Sequence, residues 1–151
     1  MGAAYFYHLT RRSLDATLQA LLERSLQQGW RVAVRGTDAE RLAWLDAKLW
    51  DGPQESFLPH GLAGGPHDAD QPILLTLTAR AANEPACVMA VDGAAVDPDE
   101  VKRLDRVCIL FEDDEAEKQA ARAQWKALTG AGCAAQYWSE ESGRWEKMAE
   151  A

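Results

Sequence analysis

Three histidines, three cysteines and one run of four carboxylates are the groups with which this chain of 151 residues could do chemistry. His8, His60 and His67 stand at neither H-x-x-x-H nor H-E-x-x-H spacing, so they suggest no metal site. Cys87, Cys108 and Cys133 are odd in number, far apart and set in apolar, strand-like runs. That pattern fits buried reduced thiols rather than disulfides or a zinc cage. Ser56 and His60 lie four apart in a loop containing Pro and Gly, where the spacing fixes no hydrogen bond, and no G-x-S-x-G elbow accompanies them. Glu112-Asp113-Asp114-Glu115 invites comparison with phospho-acceptor receiver domains. Those need an acidic pair after the first strand, and Tyr5-Phe6-Tyr7 is followed by none. The plainer reading is acids at a helix N-terminus, where the dipole favours them.

Phosphate chemistry is equally poorly supported. The turn His8-Leu9-Thr10-Arg11-Arg12-Ser13 has no glycine where a dinucleotide fold needs G-x-G-x-x-G, and no P-loop occurs. Gly61-Leu62-Ala63-Gly64-Gly65 is glycine-rich but runs into Pro66-His67-Asp68, with no helix pattern behind it. Neither a metal nor a cofactor is expected, and no residue is assigned a catalytic role.

The stretch from Leu49 to Gly65 is informative for another reason. It places Trp50, Phe57, Leu58 and Leu62 among Gly and Pro. Turn residues explain a loop but not large apolar side chains within it. Either the loop folds back on the domain or it presents those side chains to another protein.

The elements that must carry these residues alternate. Ala3 to His8 is a short aromatic strand. Ser13 caps a helix with Leu14, Leu18, Leu21, Leu22 and Leu26 at the helical period, and Gly29 ends it. Trp30 to Val34 reads as a second strand. Thr37 and Glu40 form a capping-box pattern for a helix carrying Leu42, Leu45 and Leu49. A loop from Asp51 to Pro72 follows, longer than the roughly 15 residues at which a structureless loop becomes unusual. Ile73–Thr78, Ala86–Val91 and Val107–Phe111 are further strands, the last continuously apolar as a central strand should be. Asp97-Pro98-Asp99-Glu100 starts a short helix. A last helix runs from about Asp114 to Leu128, stopped by Gly130 or Gly132. Ala134 to Trp138 closes the sheet and turns through Glu141-Ser142-Gly143 into a hairpin with Arg144-Trp145-Glu146. Successive strand–helix units predict one α/β domain over residues 1–151, with a doubly wound, mostly parallel sheet flanked by helices.

The last helix holds a second pattern. At about 100° per residue, Lys118, Arg122 and Trp125 share a narrow arc, with Ala116, Ala120, Ala123 and Ala127 opposite. The alanines are expected to pack on the sheet, leaving the two cations and the Trp outward. Alternatively the face is simply solvated, with Glu115 and Glu117 neutralising the cations.

The net charge is −8. Lys and Arg contacts to phosphate dominate non-specific nucleic-acid affinity, so direct DNA binding by this domain is not expected. No apolar run approaches the roughly 20 residues of a membrane span. No basic-then-apolar leader is visible, so a cytoplasmic location is expected.

The run L-W-x-x-P-x-E-S-F-x-P-H-x-L-A-G resembles the signature of the chi subunit of bacterial DNA polymerase III, a small accessory protein of the clamp-loader assembly. The resemblance extends to the strand Tyr5-Phe6-Tyr7, the helix Glu40 to Trp50, and the K-Q-x-A-R-x-x-W run from Lys118 to Trp125. It implies a Rossmann-like fold and a non-catalytic adaptor. The loop residues Trp50, Pro53, Phe57, Pro59 and His60 match the face that family turns to its psi partner. Lys118 and Arg122 match the basic positions that hold the acidic C-terminal tail of single-stranded-DNA-binding protein, and Trp125 stands where Tyr is usual. DNA would then be reached only through proteins. The alternative is a small Rossmann-like enzyme or nucleotide-binding domain with an unrecognised motif.

Overall fold

The computed structural model describes residues 2–51 and 59–151. Eight strands form one sheet, introduced in chain order. They are β1 (Ala3–Leu9), β2 (Val32–Arg35), β3 (His60–Leu62), β4 (Ile73–Thr76), β5 (Cys87–Ala90), β6 (Arg106–Glu112), β7 (Ala134–Ser139) and β8 (Glu146–Glu150). Four α-helices connect them: α1 (Leu14–Gln27), α2 (Ala39–Trp50), α3 (Pro98–Arg103) and α4 (Glu115–Gly130). The order across the sheet is β3-β4-β2-β5-β6-β1-β7-β8, parallel throughout except for the antiparallel pair β7–β8. This is the doubly wound, Rossmann-like architecture.

Parallel strands buried on both faces need helices on both. Leu14, Leu18 and Leu22 of α1 and Leu42, Leu45 and Leu49 of α2 pack on Val32, Val34, Ile73, Leu75, Cys108 and Leu110. On the other face Val101, Ala121 and Leu128 of α3 and α4 cover Ala4, Phe6, Val88, Val107, Ile109 and Ala135. All three cysteines are free and buried. The neighbouring Cys87 thiol and burial hold the Cys108 thiol well above its ordinary range.

Ser13 and Asp97 cap their helices as the sequence predicts, Asp97 with Glu100 completes a capping box, and Asp114, expected as the start of the last helix, is its cap. At α2 the cap is Asp38 instead of Thr37: its side chain accepts from the Glu40 N–H, while the Thr37 hydroxyl donates to the Asp92 carbonyl. The segment 51–72 is not a single structureless loop. Its second half adds β3 to the sheet edge, His60 opposite Ile73, and then a 3-10 turn at Asp68–Asp70. Three paired residues were too few to register as a strand pattern.

At the carboxyl end of β2 the Arg35 guanidinium is buried. It donates to Glu100 at 2.9 Å and to the carbonyls of Ala95 and Ala79. One side chain thereby ties α3 and two loops to the sheet. Burial alone would raise the Glu100 pKa, but hydrogen bonds from Arg35 and the Asp97 N–H outweigh it and hold the carboxyl below 4.5. Removing one partner of such a pair strands a buried charge. Glu100→Ala is therefore expected to lower the unfolding free energy by about 3 kcal/mol in urea titration. A group with a depressed folded pKa stabilises above its unfolded value and loses that contribution as pH falls. The gap between wild type and variant should accordingly narrow below about pH 4.5.

Candidate functional site

β1 sends its chain to α1 on one face, and its neighbour β6 sends its chain to α4 on the other. Ligands of doubly wound sheets bind where connections diverge in this way. A groove of about 730 Å³ lies here, lined by Phe6, His8, Phe111, Lys118, Arg122, Trp125 and Tyr137, among others. Period-two alternation along β1 and β7 turns Phe6, His8 and Tyr137 to the α4 side. Trp125 meets Phe6 edge-on at 5.3 Å and Tyr137 at 6.5 Å. His8 stacks on Phe111 with ring centroids 4.8 Å apart.

The three predicted residues of α4 are thus brought together in one groove, but the helix is rotated from its expected setting. Ala116, Ala123 and Ala127 face solvent and Ala120 is half-buried, whereas Ala121 and Leu128 are buried. Burying Leu128 and most of Trp125 removes far more apolar surface than burying four methyl groups, so those side chains set the rotation. Trp125 is half-buried rather than outward, a wall of the groove. Lys118 sits at the rim, 3.6 Å from both Asp113 and Glu115, and Arg122 is exposed.

His8 organises the mouth. Its Nε2 lies 2.9 Å from Asp113 Oδ1, and its Nδ1 lies 3.0 Å from the Tyr137 hydroxyl. A carboxylate only accepts, so Nε2 carries the proton and Nδ1 accepts from Tyr137. Burial and Glu141 raise the Tyr137 pKa, which keeps that hydroxyl a donor. The His8 hydrogen bond and Lys118 hold Asp113 below the usual carboxylate range. An incoming carboxylate must therefore compete with Asp113 for Lys118. His8, Phe6, Phe111 and Tyr137 escaped the sequence reading, although alternation of aromatics on β1 and β7 signals them.

At the opposite sheet edge Trp50 is 53% exposed, whereas His60 is 5% exposed. Their rings lie 4.2 Å apart, and His60 Nε2 is 3.1 Å from the Asp46 carbonyl and 3.2 Å from its carboxylate. His60 thus backs the Trp50 ring. Pro59 is half-buried, and Leu62 is exposed nearby on β3. Pro53 and Phe57 lie outside the described residues.

The glycine run offers no phosphate cradle: the N–H groups of Gly64 and Gly65 donate to Asp68 at 2.8 and 3.0 Å. Asp92, Glu112 and Glu117 come within 4.8 Å of one another, close enough to consider a cation. Arg41 already serves that charge, donating to Glu112 at 2.8 Å and reaching Asp92 at 3.3 Å. Burial, together with the neighbouring Glu112, Asp114 and Asp92, raises the Glu117 pKa to about 7. A carboxyl with a raised folded pKa favours folding at low pH, and that contribution is lost as pH climbs to the folded value. Glu117→Gln is therefore expected to stabilise the protein by about 1 kcal/mol at pH 8, after allowance for solvent screening. Thermal melts should show that gain shrinking to nothing below about pH 4.5.

Residues 1–136 match the model of the family described as DNA polymerase III chi subunit, HolC. The chain is 31% identical over 124 residues to a protein of Pseudomonas aeruginosa named DNA polymerase III subunit chi, covering 80% of this chain and 84% of that one. It is 27% identical over 70 residues to a probable DNA polymerase III subunit chi of Rickettsia prowazekii, covering 46% of this chain and 42% of that one. The aromatic groove with its basic rim and the run from Trp50 to His60 accordingly belong to a member of the DNA polymerase III chi subunit family.

Proposed function

We propose that this protein is a non-catalytic adaptor of the replication machinery. It joins the clamp loader, through a psi-type subunit, to the C-terminal tail of single-stranded-DNA-binding protein. The observation that carries the reading is the groove under α4, where Lys118 and Arg122 stand over a floor of Phe6, Trp125 and Tyr137. A tail that ends in carboxylates and an aromatic ring needs cations for its acids and an apolar slot for its ring. Asp113 sets the threshold: the tail must displace it from Lys118, so an isolated carboxylate gains little and a multiply acidic segment gains more. Family membership supports the accessory role, and the acidic surface supports recruitment through proteins rather than through DNA.

The face toward the psi-type partner is built around the run from Trp50 to His60. An exposed Trp at the end of α2, backed by a buried His60, is the kind of rigid aromatic anchor that dominates interface energetics. Phe57→Ala is expected to abolish co-purification with the clamp loader while leaving the circular dichroism spectrum and melting temperature unchanged. A variant that unfolds would make Phe57 a core residue and the loop self-packed.

For the tail groove, calorimetry should give roughly micromolar affinity for the tail peptide, about 8 kcal/mol, since a flexible segment loses contact energy on ordering. Arg122 is exposed, so its contact is screened as salt rises. Arg122→Ala should weaken binding and flatten its salt dependence. Trp125→Ala should weaken binding with the salt dependence kept, because an apolar wall responds little to ionic strength. Unchanged affinity in both variants would mean that this face is only solvated surface.

A further inference from the structure

The alternation that builds the groove under α4 also builds a second one on the opposite face. Tyr5 and Tyr7 of β1 and Trp138 of β7 point to the α1 side, where Thr17, Ala20 and Leu21 of α1 and Trp145 border them and leave space between. Two adjoining cavities of about 300 and 330 Å³ lie along this border, sharing Tyr7, Leu21, Arg24 and Arg106.

Their charge is the unusual feature. The chain carries 24 acidic against 16 basic residues, yet these cavities are lined by Arg12, Arg24 and Arg106 and by no Asp or Glu. Among the described residues, none of the three guanidinium groups makes an ion pair; most other cations of the chain share that state, but these three are gathered along one border. Thr17, which lines the same border, is buried, and its hydroxyl has no hydrogen-bond partner among the described residues. Unpaired cations beside an unsatisfied polar group and an apolar floor lack a complement of opposite charge.

We propose that this groove is a second docking site, which takes a short acidic peptide segment of a partner protein anchored by an apolar side chain. Charge complementarity selects an anion and sets its register. The apolar anchor then enters between Ala20, Leu21 and Trp138, beside the covered rings of Tyr5 and Tyr7. Single-stranded nucleic acid fits less well, because bases need open ring faces on which to stack. Here the Arg106 guanidinium already covers Tyr5 at 4.2 Å and lies 5.5 Å from Trp30, and Tyr7 is engaged edge-on by Trp145 at 5.4 Å. A net charge of −8 also repels a polyanion more than a segment bearing a few acids.

The test uses the full chain and two probes, a synthetic Asp/Glu-rich peptide with one central Phe and an oligothymidylate, followed by calorimetry and tryptophan fluorescence. Lys118→Ala, Arg122→Ala and Lys126→Ala together remove the Lys and Arg charges of the α4 groove and isolate the second one. In that background the peptide is expected still to bind. Adding Arg24→Glu, an exposed change on α1, should weaken it by about tenfold or more. Arg24→Ala with Arg106→Ala should act in the same direction. Arg106 packs on Tyr5 and Trp30, so Arg24→Glu gives the decisive result if that pair unfolds. Failure of the peptide to bind the Lys118/Arg122/Lys126 variant, or indifference to Arg24→Glu, would overturn the proposal. So would an oligothymidylate that binds more tightly than the peptide and is lost in the same Arg24 variant. None of these outcomes bears on the tail peptide at Lys118 and Arg122, which stands or falls on its own titration.

Discussion

Both grooves of this protein depend on strand β1 lying between β6 and β7 with aromatic side chains on both of its faces. A strand projects alternate residues to opposite sides. Ala4, Phe6 and His8 therefore face α4, and Tyr5 and Tyr7 face α1. With Tyr137 and Trp138 alternating in the same way beside them, the sheet end becomes a partition with a concave aromatic surface on each side. A one-residue slip of β7 against β1 would exchange Tyr137 and Trp138 and dismantle both surfaces at once.

Electrostatics decides what these surfaces can hold. A strongly acidic protein gains nothing from general attraction to a polyanion. Its cations have to be placed individually. At the α4 groove they are placed under restraint, with Lys118 shared between Asp113 and Glu115, and Asp113 itself held by His8. Restraint of this kind favours a multiply charged ligand over a single carboxylate, because each new contact must better an existing one. On the α1 side the arginines carry no such internal partners, and their stacking on Tyr5 and Trp30 holds Arg106 in place without neutralising it.

Much of the fold was legible from residue order. The helical leucines of α1 and α2, the caps at Ser13 and Asp97, and the unbroken apolar run of β6 are local patterns, and local patterns survive folding. The misreadings have physical causes. β3 pairs three residues and borrows its stability from β4, so nothing in its own sequence marks it as a strand. The rotation of α4 follows from competition between Leu128 with Trp125 and the row of alanines for the sheet surface, and periodicity counts positions rather than buried area. Asp38 displaced Thr37 as a cap because the threonine hydroxyl found the Asp92 carbonyl, 55 residues away.

By itself the sequence determined that this is an α/β domain of parallel type, that its surface is acidic, and that Lys118, Arg122 and Trp125 lie on one arc of a helix. Those properties follow from composition and from the periods of helix and strand, which the backbone imposes locally. Only the tertiary structure decided that the arc closes over Phe6, His8 and Tyr137, and that Arg24 and Arg106 meet across the α1 border. Both groovess join residues far apart in the chain, and such contacts depend on strand order and register, which no local pattern specifies.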